Sequence, residues 1–146
     1  MVGTPQVIAI YSSIISTDCR AAAVGADRHV AGNTVEVSRN EPPNHPHGGF
    51  SGFDKPVWDA WPDEDRNAVT FTLVSPADSE SYPGQLVLSS TYELTDNDRL
   101  LLTMRRVSDA TTILNMVHHS YWNVAGHASG DLSRQLLTVE GTSTRR

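Results

Sequence analysis

Apolar and polar side chains alternate along much of this chain with a period of two rather than 3.6. Val69-Thr70-Phe71-Thr72-Leu73-Val74 has the alternation of a half-buried strand. Leu86–Leu94 and Leu100–Val107 read as two more strands. Between them the polar run Thr95-Asp96-Asn97-Asp98-Arg99 suits a hairpin turn. Thr111–Val117 is expected as a fourth strand and Leu136–Glu140 as a fifth. Val7–Ile15 also reads as a strand. It has no basic residue ahead of it, and Tyr11, Ser12 and Ser13 interrupt it, which argues against a targeting segment. No stretch makes a convincing amphipathic helix, and Ala21–Ala26 supports a helical turn at most. Ser75-Pro76-Ala77-Asp78 and Tyr82-Pro83-Gly84 punctuate the strands. Short strands so separated predict an all-β, antiparallel sandwich or barrel.

Composition narrows the function. A chain of 146 residues has the length of one domain. Its formal net charge of −6 argues against nucleic acid or an anionic membrane surface as partner, because phosphate groups demand a basic footprint. Lys55 follows Asp54 rather than glycine, so there is no phosphate-binding Walker loop. Cys19 is the only cysteine, which excludes an internal disulfide and fits a reducing, cytoplasmic setting. No apolar run is long enough to cross a membrane.

The region Asn40–Pro62 breaks the alternation. It is dense in proline and histidine and holds Trp58 and Trp61. Such a loop on an all-β scaffold is where function tends to sit, and it also reads as an ordered cap on one end of a sandwich. Two histidine clusters stand out. In Asn44-His45-Pro46-His47-Gly48-Gly49, the glycines permit positive φ and close approach of a ligand to the backbone. In His118-His119-Ser120-Tyr121-Trp122-Asn123, adjacent histidines on a strand would point to opposite faces. The His-x-His pair invites a metal reading, but Gly48–Gly52 lacks the carboxylate such a site wants. Histidines that satisfy loop carbonyls, or that do acid–base or binding work near neutrality, remain as readings. No Gly-x-Ser-x-Gly elbow surrounds Ser120. The tryptophans suit either a sugar ring or a core anchor.

Three segments carry a family resemblance. Asn44–Trp58 resembles the N-x-L-H-G-G-x-x-G-F-D-K-x-x-W segment of the aldose 1-epimerases (galactose mutarotases). Ser75–Gly84 is similar to that family's S-P-D-G-x-E-G-Y-P-G turn, and Asn115–His127 to its N-L-T-N-H-S-Y-F-N-L-A-G-H. The resemblance implies an antiparallel β-sandwich of the galactose mutarotase type. Residues 1–146 would form a single, partial domain of it, with 1–39 divergent. It implies interconversion of the α and β anomers of an aldohexose, with no cofactor and no metal. His119 would be the general acid to the ring oxygen. His47 would hydrogen-bond the sugar, with Tyr121 and Ser120 lining the pocket. Asn115, Trp58 and Asp54 would support the surrounding shell. His118 stands where the family has asparagine, Pro46 where it has leucine, and Ser81 where it has glycine. The family's general base, a glutamate, is expected downstream of Arg146, so a C-terminal half or a partner chain would have to supply it. A non-catalytic carbohydrate-binding relative is the alternative the residues leave open.

Overall fold

A computed structural model of the chain describes residues 27–30, 32–118, 120, 122–126, 128–136 and 138, with the side chains of 27–30 excepted. Among them are six strands: β1 (Asp27–Val30), β2 (Asn33–Glu36), β3 (Asp59–Asp63), β4 (Ala68–Ser75), β5 (Leu86–Leu94) and β6 (Leu100–Ser108). β1 and β2 form a two-stranded hairpin. The other four form one antiparallel sheet in sequence order, β3-β4-β5-β6. The only helix among the described residues is a single 3-10 turn, Ser79–Ser81, so none is long and apolar enough to cross a membrane.

The alternation in β4, β5 and β6 works as their side chains require. Tyr92 pairs with Val69 and Leu102, Leu88 with Leu73 and Arg106, and Ser90 with Phe71 and Met104. These rows share one face. Leu86, Leu88 and Tyr92 are buried there, and Phe71 meets Tyr92 edge-on with ring centroids 5.9 Å apart. Burying one such side chain stabilises a fold by about 1.5–3 kcal/mol. The opposite face carries the row Trp61, Thr70, Thr91 and Thr103, in which the Thr70 and Thr91 hydroxyls lie 2.8 Å apart. A second row, Val74, Val87 and Val107, is exposed.

The turns explain the register. In the β5–β6 turn the Thr95 amide donates to the Arg99 carbonyl at 2.9 Å, and Asp98 takes a left-handed φ of 56°. Between β3 and β4, Asn67 adopts φ 47° and its side-chain amide donates to the Leu94 carbonyl. Asparagine and aspartate tolerate this conformation better than other non-glycine residues.

Several sequence expectations need correction. Thr111–Val117 forms no strand. Ile113 and Leu114 are half-buried and line one recess together with Leu86 of the sheet's buried face. The segment's apolar content reflects burial by packing, which periodicity does not distinguish from burial in a strand. Leu136 and Thr138 also carry no strand, and the remainder of that expected strand lies outside the described residues. So do Val7–Ile15 and Ala21–Ala26. β3 falls, but for Asp63, inside the region expected as one long loop. It is an edge strand, and Pro62 pairs with Val69 where a missing amide donor is tolerated. The β1–β2 hairpin, with Gly32 at φ 83° in its tight turn, was also not expected.

Candidate functional site

The segment after β2 folds back across the sheet end and builds the site around one histidine. His45 is 1% exposed. Its Nδ1 lies 2.5 Å from the Ser38 carbonyl oxygen and 3.1 Å from the Ser38 hydroxyl, and its ring meets Tyr82 edge-on at 5.6 Å. Beyond it the chain turns at His47 (φ 57°), Gly48 (φ 79°) and Gly49 (φ 95°), leaving the His47 side chain exposed at the apex. A backbone bond from the Gly49 amide to the Pro46 carbonyl at 3.2 Å closes this turn, and side chains brace it. The Asn40 amide donates to the Pro46 and Gly49 carbonyls at 3.1 and 3.2 Å.

From the other side comes Glu80, carried by the 3-10 turn. Its carboxylate accepts from the Ser38 hydroxyl at 2.5 Å and from the Ser51 backbone amide at 2.6 Å. Burial alone would raise this carboxyl. Hydrogen bonds from Ser38 and from the Ser51 and Phe50 amides, with His45 nearby, outweigh it and hold the pKa below the ordinary glutamate value. Glu80 is therefore ionised at neutral pH.

A recess opens beside this network. Gly48, Ser51 and Phe53 line one wall, Ser75, Pro76, Glu80 and Tyr82 another, and Ile113 with Leu114 a third. These residues come from the Asn44–Trp58 segment, the Ser75–Gly84 turn and the chain entering the second histidine cluster. Among the described residues no group of three His, Cys, Asp or Glu converges as a metal site would require.

A model of the aldose 1-epimerase family matches residues 17–145. The chain belongs to the aldose 1-epimerase family. It is 40% identical to galactose mutarotase of Rattus norvegicus over 110 residues, which is 75% of this chain and 31% of that protein. It is 38% identical to maltose epimerase of Levilactobacillus brevis over 119 residues, 80% of this chain and 35% of that one. The chain thus spans about a third of the length of the curated relatives it matches. Among solved structures, galactose 1-epimerase from Lactobacillus acidophilus superposes with a TM-score of 0.64 at 35% identity, over 68% of this chain and 30% of that one. An aldose epimerase homologue from Caenorhabditis elegans gives 0.63 at 23% identity, over 68% and 30%, and shares the fold. The antiparallel β architecture is that of this epimerase family.

The residues singled out in the sequence are placed as follows. His47 sits at the exposed apex next to Gly48, which lines the recess. Ser120 lies with its hydroxyl 2.8 Å from Nε2 of His118, whose ring packs edge-on against Tyr92 at 5.5 Å and lies 6.0 Å from Trp122. His119 and Tyr121 lie outside the described residues. Trp58 donates from Nε1 to the Phe53 carbonyl at 2.9 Å, bracing the segment that leads into β3. Asp54 pairs with its neighbour Lys55, and Asn115 is exposed. Glu80 was given no role from sequence. Its place in the family-like turn was the available signal.

Burial against the sheet pushes His118 below the ordinary histidine pKa. An NMR titration of the folded epimerase chain is expected to show a His118 midpoint below 6.5. A histidine in the unfolded chain titrates near that value. The unfolded state therefore binds the proton more readily, and stability from this site is complete above about pH 6.5 and lost as the pH falls through the folded midpoint.

Proposed function

We propose that this chain carries the acid side of an aldose 1-epimerase site that acts on a neutral aldohexose such as galactose or glucose. The observation that carries this reading is the recess itself, whose walls come from the family-like segments and the chain entering the second histidine cluster. Among the described residues no lysine or arginine lines it, which favours a neutral sugar over a phosphorylated one. The relatives' names, galactose mutarotase and maltose epimerase, support a sugar with a free anomeric carbon.

In the proposed reaction a base takes the proton from the C1 hydroxyl while His119 protonates the ring oxygen. The bond from C1 to the ring oxygen breaks, and the aldehyde rotates about C1–C2. The ring then closes on the other face, with the protons returned. One group must be protonated and the other not, on opposite sides of a small bond network. His47 holds sugar hydroxyls. Tyr121 and Ser120 line the pocket. A carboxylate of this chain or of a partner chain serves as the base.

Polarimetry tests this. Freshly dissolved α-D-galactose is expected to reach anomeric equilibrium faster with the purified chain, and His119→Ala is expected to reduce that acceleration by about 10²–10⁴-fold. A folded chain that gives no acceleration would overturn the catalytic reading.

A further inference from the structure

We propose that Glu80 is a positioning residue, whose carboxylate fixes the His47-Gly48-Gly49 turn from within and so sets how His47 meets the sugar. This rests on the proposed epimerase site. Three observations converge on it. The carboxylate gathers the Ser38 hydroxyl and the Ser51 amide, from residues 42 and 29 positions away in sequence.

Second, the chain accepts backbone strain to bring Glu80 there. Asp78, Glu80 and Ser81 all sit at positive φ, 62°, 49° and 68°. Non-glycine residues hold such angles in succession only where the surroundings over-determine them. Third, Gly49 leaves the space the carboxylate occupies. A Cβ at that position would lie 2.1 Å from Glu80 Oε2.

Asn40 and Glu80 therefore divide the work. Asn40 satisfies the Pro46 and Gly49 carbonyls, and Glu80 satisfies the Ser51 amide just after the turn. Both carboxylate oxygens are occupied by donors, and the lowered pKa keeps the group ionised. A carboxylate so engaged is poorly placed to accept a proton from a sugar hydroxyl. It acts on the turn and not on the reacting atoms.

The test uses Glu80→Gln, which keeps the length and removes the charge, and Ser38→Ala, which removes one donor. Two readouts are taken on the full chain: the Ser51 amide and His47 ring signals by NMR, and galactose affinity by ligand-observed NMR. Where turnover is measurable, KM and kcat are compared. In Glu80→Gln both sets of signals are expected to move, and galactose affinity to weaken about tenfold, with KM rising and kcat little changed. Ser38→Ala is expected to produce the same changes at smaller amplitude. Unmoved Ser51 and His47 signals in a folded Glu80→Gln chain would overturn the assignment, as would moved signals with parental galactose affinity. A parent chain that binds no galactose would overturn the epimerase reading instead, and the NMR signals would still report whether Glu80 sets the turn.

Discussion

Replacing Leu88 with alanine is expected to destabilise the fold by about 2–5 kcal/mol, read from urea unfolding at constant slope. Leu88 has no exposed surface and lies at the centre of the inner face, paired with Leu73 on one side and Arg106 on the other. Truncation removes the transfer free energy of the lost methyl groups. It also leaves a cavity that β4 and β6, tied to β5 by ladders, are poorly able to collapse. Few large apolar residues share this burial, and a natural domain's whole stability is only about 5–15 kcal/mol. The control is Val87, the next residue, on the other face and 48% exposed. Val87→Ala is expected to cost less than about 1 kcal/mol. Equal costs at the two positions would mean that the outer face is covered in solution.

The second large effect is expected at Gly52. Its φ lies outside the left-handed region, so an alanine there meets no conformational penalty. The obstacle is steric. A Cβ at this position would lie 2.3 Å from the His47 carbonyl oxygen, a backbone atom that cannot swing aside. The turn must shift, and His47 moves with it. Gly52→Ala is expected to weaken galactose binding about tenfold or more while the sheet keeps its stability to within about 2 kcal/mol. Gly32→Ala separates strain from collision. Gly32 has φ 83° with no described atom within 4 Å of the added Cβ, and it lies in the β1–β2 turn and does not line the recess. That variant is expected to lose about 1–2 kcal/mol from the hairpin and leave sugar affinity unchanged. Parental affinity in Gly52→Ala would show that His47 is not held through this contact.

The sequence made the central hairpin and its inward face easy to read. Leu86–Leu94 alternates cleanly, and a five-residue polar turn separates it from Leu100–Ser108. It concealed elements whose cues conflict. β3 contains Pro62 and is flanked by Pro56 and a run of acidic residues, all of which argue for a loop in isolation. Only pairing with β4 makes it a strand. Thr111–Val117 misled in the other direction, since a half-buried apolar stretch outside a sheet and a strand within one look alike in one dimension. At the site, the glycines after His47 announced an unusual turn. The group that fills that turn could not be inferred, because the contact from Glu80 to Ser38 crosses 42 residues and depends on three left-handed residues, two of which, Glu80 and Ser81, are of types that rarely adopt that conformation. The epimerase family resemblance, by contrast, rested on side-chain identities and needed no geometry.

Pro62 has a consequence for the sheet as a whole. Residues along an antiparallel strand alternate between turning their amides toward the neighbour and away from it. A proline is accommodated opposite Val69 only with its nitrogen on the far side, so the outer rim of β3 lacks a donor where another strand would need one. At the opposite rim β6 contains no proline over its nine residues. Among the described residues the sheet therefore has unequal ends in its hydrogen-bonding valence: terminated at β3, open to extension at β6.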